Sequence, residues 1–578
     1  MLILRGKTDL QSLTLDQIKP KVEPILKRLS LSRTQQVLLA LIVIGAFFRL
    51  YLLGAKSIWL DEAFSISLTQ RSLLDMLSMM VRTDTHPPLY YLMLKFWLLF
   101  SRREDWVRLL SALFSIASIP VMYLLVRTLY KDKRAGLLGA AILVFSPFQI
   151  WYAQETRMYA ALTFFVLASA FFFIRALQSG SIIDWLGYVF TTVLALYTDN
   201  GAIWYLLTLV VFSLLPIRRF RHRAVGWLLS HLAIAFLYAF WLPFLVIQTR
   251  QVTGGFWLPP PSFQTVLGTF LDFHSYNFPV IEISLLYMAA IFVFAYIVPG
   301  KSWQRQLASL WLFLPLVVSL LLSLRQPIFL SRNLIAASLG YYLLATDTIW
   351  KFQSRKTVLM LLIPLLVMNL VSIGYNTWFA QKEDWRDAAR MIATASYDKP
   401  DGLVVFIPGF AELPFQYYFK DYGRTIETQG YPGDELLLHP QPKEVKDIQN
   451  MLIGHPYVWL VVRQGESLDP EWLQIKAWLD SHGYVRYPGL ERENISVLSY
   501  VRWDKVKPGR TPTRIRTQYK AFIPLILKEK ITRVYVVQPG ETLLEIAIRF
   551  QTTVEALAEA NRLDNPNKLT PGQTLIIP

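Results

Sequence analysis

The chain has 578 residues, 54% of them hydrophobic and 14% aromatic, which is more apolar material than one soluble core needs. The 58 basic against 41 acidic residues give a net charge of +17, but the basic residues fall mostly in short clusters between apolar runs. That distribution favours a membrane protein over a nucleic-acid binder. The absence of cysteine excludes disulfides, thiolate metal sites and a cysteine nucleophile.

The first apolar stretch, 36–54, can cross a bilayer and follows a basic segment that contains Lys19, Lys27 and Arg33. It is too long for the core of a typical signal peptide, so we predict an uncleaved anchor with residues 1–34 in the cytoplasm. The other stretches of spanning length are 108–130, 135–151, 158–178, 182–197, 201–216, 226–247, 279–298, 307–323, 333–350 and 357–374. Together they predict a multispanning α-helical protein with about eleven spans.

Basic connections between the stretches set the predicted orientation. They are 131–134, 218–223, 301–305 and 351–356. Their spacing places every second loop in the cytoplasm. The short aromatic stretch 86–100 would invert every later loop if it crossed once, so we predict that it lies at, or dips into, the outer face.

Four polar segments then share the outer face. They are Asp61-Glu62, Asp84-Thr85-His86, Gln154-Glu155-Thr156-Arg157 and Tyr197-Thr198-Asp199-Asn200, with Arg108 and Arg332 at the outer ends of their spans. Ionisable groups at membrane depth are costly and usually face a polar cavity, so their convergence predicts a functional site. The alternative for any one of them is a side chain that reaches from a helix end to water.

The character of the chain changes after Asn376. The runs 403–407 and 458–462 have strand length, and an amphipathic helix begins near 382–386. The predicted domains are a cytoplasmic segment over 1–34, a membrane-embedded domain over 35–376, an outer α/β domain over 377–504, a basic linker over 505–533 and a small domain over 534–578. The linker stretch 521–527 is too short to span and could touch the membrane.

The small domain opens with Tyr535-Val536-Val537-Gln538-Pro539-Gly540-Glu541-Thr542-Leu543 and closes with Leu575-Ile576-Ile577-Pro578. Its spacing predicts a βααβ module with a turn at Pro539-Gly540 and a helix cap at Thr542. It resembles a LysM module over its full length. The resemblance implies binding to peptidoglycan or another glycan that contains N-acetylglucosamine; the alternative is a module that binds nothing.

Five motifs occur in order between about residues 40 and 390. They are Phe48-Arg49-Leu50-Tyr51 leading to Trp59-Leu60-Asp61-Glu62-Ala63, then His86-Pro87-Pro88-Leu89-Tyr90-Tyr91, Arg108-Leu109-Leu110-Ser111, Ser146-Pro147, and Gln154-Glu155-Thr156-Arg157-Met158-Tyr159. They resemble the bacterial relatives of the protein O-mannosyltransferases, and the aminoarabinose transferases of lipid A are similar in architecture. The resemblance implies the GT-C fold and a glycosyltransferase that takes a sugar from a polyprenyl-phosphate donor and inverts the anomeric centre.

Such a reaction needs a base for the acceptor hydroxyl and cations for the departing phosphate. Asp61 matches the family's catalytic acidic position and is the predicted base, with Glu62 beside it as a second catalytic residue. Helix capping is the alternative for Asp61. The predicted substrate-binding residues are Asp84, His86, Arg108, Glu155, Arg157, Tyr159, Asp199 and Arg332. The three arginines are candidates for the phosphate because guanidinium offers bidentate donors with permanent charge; ion pairing with a neighbour such as Glu155 is the alternative.

Asp84 and His86 are also candidate metal ligands, since carboxylate and imidazole together suit a divalent ion. No cofactor is certain, and a divalent metal ion is left open; alternatively, His86 caps a helix and hydrogen-bonds Glu62. Asp199 follows Tyr197-Thr198, where we would more often expect His in these relatives, which puts its sugar contact in doubt.

The expected function is therefore sugar transfer from polyprenyl phosphate to a cell-surface acceptor, at the outer face of the plasma membrane, with multiple spans and extracytoplasmic C-terminal domains. The expected partners are the polyprenyl-phosphate sugar, membrane lipid and, through LysM, wall glycan, with no nucleic acid. Transfer to protein Ser or Thr is one alternative, and an inactive wall-anchoring protein is another. A transporter would show broken helices at the midplane and repeated halves, which the sequence does not show.

Overall fold

The structure is a computed structural model of the full chain. It describes residues 31–214, 221–253, 258–297, 302–352, 354–432, 444–463, 471–491 and 494–506, and toward the C-terminus 533–537, 543, 546, 557–558, 561 and 574–577. The chain divides into two compact units, 1–513 and 514–578, which are described separately. The basic segment before residue 31 and the predicted membrane-touching stretch 521–527 lie outside the described residues.

The N-terminal part of the first unit is a bundle of helices. They are α1 Arg33–Leu50, α2 Leu60–Thr69, α3 Leu73–Thr83, α4 Leu89–Trp97, α5 Glu104–Tyr130, α6 Lys133–Val144, α7 Pro147–Ala153, α8 Tyr159–Ser179, α9 Ile182–Thr198, α10 Ala202–Leu214, α11 Ala224–Ala239, α12 Leu242–Thr253, α13 Phe263–Ser275, α14 Ile281–Ile297, α15 Trp303–Ser323, α16 Ile335–Trp350 and α17 Arg355–Trp378. Each apolar stretch predicted to span is helical over most of its length. The predicted multispanning helical class is therefore confirmed.

The number of spans is a separate matter from the number of helices. By length and composition, five helices of the described residues can cross a membrane, or up to seven if the bent pairs α6 with α7 and α11 with α12 each make one span. Three shorter apolar helices, α9, α10 and α14, fall below that length. The predicted total of about eleven stays a prediction.

Three short helices, α2, α3 and α4, lie between the candidate spans α1 and α5. Ser72 caps α3 by accepting a hydrogen bond from the backbone N–H of Asp75. The helix buries Met76 and Met80 and exposes Leu73 and Leu74, so it has two unlike faces. Neither α3 nor α4 is among the candidate spans. This agrees with the predicted orientation, which needs the segment 86–100 not to cross the membrane.

The C-terminal part of the first unit is an α/β domain. Its sheet has the strand order β2-β1-β3-β5-β4, with β1 Gly402–Ile407, β2 Glu427–Gly430, β3 Tyr457–Arg463, β4 Tyr484–Glu491 and β5 Ile495–Arg502. Strand β1 pairs parallel with β2 and β3, whereas β5 pairs antiparallel with β3 and β4. Among the described residues of this domain, four helices pack around the sheet, α18 Trp385–Ala395, α19 Glu412–Phe419, α20 Val445–Gly454 and α21 Glu471–Ser481.

This domain shares a hydrophobic core with the membrane helices. Ile58, Ala63 and Ile66 around α2 belong to the same buried cluster as Trp385 of α18 and Phe415 of α19. Because burial of apolar side chains is the main favourable term in packing, the α/β domain and the loop before α2 form one packed body.

The second unit pairs two strands. Strand β6 Arg533–Val536 runs antiparallel to β7 Thr574–Ile577, with Val534 opposite Ile576. Leu543, Ile546 and Leu557 between the strands are helical and buried. These features agree with the predicted βααβ order; the predicted turn at 539–540 and cap at 542 lie outside the described residues.

Candidate active site

Asp61 and Glu62 lie in the first turn of α2, where negative charge is favourable at the helix N-terminus. The carboxylate of Glu62 accepts from the backbone N–H of Trp59 at 3.4 Å, which fixes the start of the helix. Successive residues on a helix point about 100° apart. The two neighbours consequently have different surroundings: the Asp61 side chain is 22% exposed, and that of Glu62 is 0% exposed.

Glu62 forms a buried bidentate pair with Arg108 of α5. The two N–H···O distances are 2.7 Å from Nε and 2.6 Å from Nη2. The remaining N–H groups of Arg108 donate to the carbonyls of Leu53, Lys56 and Ser57. Guanidinium has five N–H donors, and here all five have partners.

Because the hydrogen-bonding groups of Arg108 and Glu62 are occupied, the predicted phosphate contact of Arg108 and the predicted catalytic role of Glu62 have to be reconsidered. The carboxylate of Glu62 also accepts from the backbone N–H of Thr156 at 2.9 Å. Burial alone would raise the pKa of Glu62, but Arg108 and Lys382 outweigh it and lower the pKa to about 2. The pair attaches the loop before α2 to helix α5, which is a structural role. The geometry therefore does not favour a phosphate contact by Arg108 or a catalytic role for Glu62, and both stay predictions.

Asp61 is paired with Arg332. Its Oδ2 lies 3.2 Å from Nη1 of Arg332, which comes from the short 3₁₀ turn Ser331–Leu334 before α16. The guanidinium also lies over the ring of Trp59, 5.6 Å from the centroid. The structure thus brings together the predicted base and one of the predicted phosphate ligands.

Arg157 links α2 to the second polar segment. Its Nη1 donates to Ser65 Oγ at 3.1 Å and to the Tyr91 hydroxyl at 3.2 Å, and Tyr91 donates to Oδ2 of Asp84. The Nε of Arg157 is buried without a hydrogen-bond partner among the described residues. A buried donor that lacks a partner is costly, so this N–H is available to an anion. Tyr159 is buried nearby and interacts electrostatically with Arg157.

His86 joins Asp84 to Asp199. Its Nδ1 lies 3.0 Å from Asp84 Oδ1, and its Nε2 lies 3.6 Å from Asp199 Oδ2. The predicted alternative contact of His86 with Glu62 is not formed; both carboxylate oxygens of Glu62 have the partners described above. Burial raises the pKa of Asp199, although His86 and the N–H of Gly201 oppose the rise.

The metal hypothesis for Asp84 and His86 finds little support in this arrangement. Both oxygens of Asp84 accept hydrogen bonds, from Thr85 N–H and from Tyr91, and both ring nitrogens of His86 face carboxylates. In the part of the chain that the structure describes, no group of three or more His, Cys, Asp or Glu residues is arranged to hold a metal ion. The metal-ligand role of Asp84 and His86 therefore stays a prediction that this arrangement does not favour.

Glu155 contacts a residue that the sequence did not single out, Lys382. The Lys382 side chain is 8% exposed, and its Nζ lies 3.1 Å from Glu155 Oε1 and 3.7 Å from Glu62 Oε2. It also lies over the rings of Trp59 and Trp151. Burial raises the pKa of Glu155, and Lys382 opposes that rise. The lysine therefore favours the charged form of Glu155.

Lys56 is the second cation that the sequence did not reveal. Its Nζ lies 4.3 Å from the centroid of the Trp151 ring and donates to the carbonyl of Asn376. Burial, with the nearby charges of Lys382 and Arg108, lowers the pKa of Lys56 to about 7. Neither lysine belongs to a recognisable motif. Their only signal in the sequence was position: Lys56 lies shortly before Asp61, and Lys382 lies shortly after the last apolar stretch.

All four predicted polar segments are thus connected by hydrogen bonds or ion pairs. In addition to the contacts above, Nδ2 of Asn200 donates to the carbonyl of Thr85 at 2.7 Å. A cavity of about 970 Å³ lies elsewhere, between α2, the start of α5 and α19. It is lined by Ala63, Ile66 and Gln70, which the helical repeat puts on the side of α2 opposite Asp61. The cavity is therefore distinct from the candidate site.

Two family models match the sequence. Residues 85–245 match the model described as dolichyl-phosphate-mannose-protein mannosyltransferase, and residues 535–578 match the LysM domain. The first match contains His86, Arg108, Glu155, Arg157 and Asp199 and ends within α12. It supports a glycosyltransferase.

Solved structures bear on the fold. The chain is similar to ArnT from Cupriavidus metallidurans in the apo state, with a TM-score of 0.53 and 14% identity over 80% of this chain and 97% of that chain. The same protein bound to undecaprenyl phosphate gives a TM-score of 0.54 and 13% identity over 81% and 98% of the two chains. The chain has the GT-C fold of mannosyltransferase-like membrane proteins and ends in a LysM domain.

The LysM domain of this GT-C protein also has a curated relative. It is 44% identical over 46 residues to the cortical fragment-lytic enzyme of Bacillus subtilis (strain 168), a match that covers 8% of this chain. The chain spans about a tenth of the length of that relative, 11%. The resemblance is therefore confined to the C-terminal module.

Proposed function

We propose that this protein transfers a sugar from a polyprenyl-phosphate donor to a cell-surface acceptor at the outer face of the plasma membrane. The observation that carries the proposal is the environment of Asp61. It is a partly exposed carboxylate, 3.2 Å from Arg332, beside a buried network that contains Arg157. The mannosyltransferase match and the fold shared with a protein whose structure holds undecaprenyl phosphate support the same reaction class.

In the proposed reaction, Asp61 takes the proton of the acceptor hydroxyl as its oxygen attacks the anomeric carbon. The bond from that carbon to the donor phosphate oxygen breaks, and the electron pair leaves with polyprenyl phosphate. Arg157 and Arg332 hold the phosphate, whose negative charge grows in the transition state. Attack from the side opposite the phosphate inverts the anomeric centre.

Binding of the donor phosphate can release Asp61 from its ion pair with Arg332. An incoming phosphate competes for the Arg332 guanidinium, because phosphate and carboxylate both accept its paired N–H groups. As Arg332 turns toward the phosphate, Asp61 becomes available to the acceptor hydroxyl. Donor binding would thus precede productive acceptor binding.

The test is an assay of purified protein in nanodiscs with a panel of polyprenyl-phosphate sugars. We expect Asp61→Asn to abolish release of polyprenyl phosphate, with a fall in kcat of at least about a hundredfold, because the isosteric amide cannot accept the proton. Asp75→Asn is the matched control, since Asp75 is an exposed carboxylate on the neighbouring helix α3. Release that survives Asp61→Asn would remove Asp61 as the base.

The chemical class of the acceptor distinguishes transfer to a cell-surface glycan or lipid from transfer to protein. We propose a cell-surface glycan or lipid, and we propose that the LysM domain binds N-acetylglucosamine-containing wall glycan and keeps the enzyme near it. Loss of retention on isolated cell wall after deletion of 514–578 would support that role, and unchanged retention would contradict it. Sugar found on protein Ser or Thr would instead identify a protein O-glycosyltransferase, and no turnover with any donor would favour a wall-anchoring protein.

A further inference from the structure

The α/β domain contacts the active-site loop at several points. The loop is residues 51–59, which connect α1 to α2 and end two residues before Asp61. In the shared core, Ile58 packs with Trp385 and Phe415 of the α/β domain. These apolar contacts hold the two parts together but do not by themselves fix the loop conformation.

Tyr418 of α19 provides the first specific contact. Its hydroxyl oxygen accepts from the backbone N–H of Ile58 at 2.7 Å and from Ser57 Oγ at 3.2 Å. Ile58 is fully buried, so its N–H needs a partner inside the protein. That partner comes from a helix of the α/β domain.

Arg386 of α18 provides the second. Its guanidinium donates to the carbonyls of Gly54 at 3.0 Å and Ala55 at 3.2 Å, and its backbone N–H donates to Ser57 Oγ at 3.2 Å. The same guanidinium pairs with Glu104 at the start of α5. The rigid fork of an arginine therefore joins the loop and α5 to the α/β domain.

We infer that the α/β domain is a positioning element of the active site: Tyr418 and Arg386 hold the 51–59 loop so that Asp61 faces the reacting centre. The kinetic consequence rests on the proposed function, whereas the structural statement does not. A displacement of about 1 Å at a reacting group can reduce a rate about a hundredfold, so a small shift of this loop is enough to affect kcat.

The matched pair of variants is Tyr418→Phe and Tyr484→Phe. Both tyrosines are buried in the α/β domain, and each hydroxyl makes at least two hydrogen-bond contacts. The Tyr484 hydroxyl lies within hydrogen-bond distance of the carbonyls of Leu452 and His455, both in the α/β domain. Each substitution removes a buried hydroxyl with its hydrogen bonds, but of these two tyrosines only Tyr418 contacts the loop. Ser57→Ala is a second variant, milder than Tyr418→Phe, in case the latter folds poorly.

The first readout does not require activity. The chain has no cysteine, so Asp61→Cys gives a single thiol whose rate of reaction with a small methanethiosulfonate reports the loop position. We expect Tyr418→Phe or Ser57→Ala to change that rate by about threefold or more, and Tyr484→Phe to leave it unchanged. Equal rates in all backgrounds would overturn the inference, whether or not the wild type transfers sugar.

The second readout is kinetic. We expect Tyr418→Phe to lower kcat between about tenfold and a hundredfold with little change in KM for the donor, whereas Tyr484→Phe keeps the wild-type kcat. A fall in kcat that merely follows the fall in thermal stability in both variants would contradict a positioning role. Wild-type protein that turns over no donor would refute the proposed function, and the thiol rates would still decide the inference.

Discussion

At the scale of single residues, two adjacent carboxylates have separate tasks. Glu62 is enclosed by Arg108 and by backbone N–H groups, whereas Asp61 meets solvent and Arg332. Truncating one member of a buried pair leaves the other charge without compensation, which costs more than the pair itself contributes. Substitutions at the two positions should therefore fail for different reasons.

We expect Glu62→Gln to destabilise the protein by about 3–5 kcal/mol, because it leaves Arg108 charged and buried. Asp61→Asn should lose activity at nearly unchanged stability. The measurement is the thermal unfolding midpoint in detergent, with Glu282→Gln as control, since Glu282 is an exposed first-turn glutamate of α14. A Glu62→Gln protein that is as stable as the wild type but inactive would return Glu62 to a catalytic role.

The same pair predicts an acid sensitivity. The pKa of Glu62 is lowered from 4.5 to about 2 in the folded protein, so its contribution to stability is complete above pH 4.5 and is lost as the pH falls toward 2. The wild type should lose more stability over that range than Glu62→Gln does. Equal losses in the two proteins would contradict the paired state of Glu62.

Lys382 and Glu155 form the second residue pair with a measurable consequence. Lys382→Met leaves the buried Glu155 without its cation, and we expect a loss on the order of 3 kcal/mol. The double variant Lys382→Met with Glu155→Gln should recover much of that loss, since neither charge remains. Stability losses that simply add in the double variant would show that the two groups do not interact.

At the scale of elements, the break between α6 and α7 is held by Arg49 of α1. Its guanidinium donates to the carbonyls of Leu143 at 3.1 Å and Val144 at 3.3 Å, which end α6, and to Ser115 Oγ at 2.7 Å. Carbonyls at a helix C-terminus lack partners within the helix and favour a cation. The arginine therefore supplies hydrogen-bond donors to the carbonyls at the bend, and the chain continues from this bend to Glu155 and Arg157.

We expect Arg49→Lys to destabilise the protein by about 2 kcal/mol, because a single ammonium cannot serve the carbonyls that the guanidinium fork reaches. Arg33→Lys is the control, since Arg33 is exposed at the start of the same helix. The unfolding midpoint in detergent measures both. A similar midpoint for Arg49→Lys and wild type would mean that the bend does not depend on the fork.

The elements show which features could be predicted from sequence. Strand-length runs at 403–407 and 458–462 became β1 and β3 because continuous apolar runs bounded by polar residues fit buried parallel strands. The grouping of Asp61, Arg157 and Arg332 followed from counting spans. The contacts of Lys382 could not be predicted, since they depend on how a connecting segment folds back across the membrane domain, and local pattern carries no such information.

The paired state of Arg108 escaped prediction for a related reason. A motif identifies an arginine near a carboxylate but does not reveal how many of its N–H groups the surrounding carbonyls use. The resemblance to a family therefore located the site, whereas the division between reacting and supporting residues required the three-dimensional contacts.

At the scale of the whole molecule, the shared core and the loop contacts fix the α/β domain to one end of the membrane bundle. That end carries Asp61 and the start of α5. Helix α5 has 27 residues and is about 40 Å long at 1.5 Å per residue, enough to cross a hydrocarbon core of about 30 Å. The two ends of α5 should therefore lie on opposite sides of the membrane.

This arrangement predicts the topology of the protein. In the cysteine-free chain, single variants Arg103→Cys and Asp421→Cys should react with a membrane-impermeant maleimide in intact cells, because both exposed residues lie at the Asp61 end. Lys133→Cys, exposed at the start of α6 just beyond the basic end of α5, should react only after permeabilisation. The unsubstituted chain is the control for background labelling. Labelling of residue 133 in intact cells, or protection of residues 103 and 421, would invert the orientation and place the proposed reaction on the cytoplasmic face.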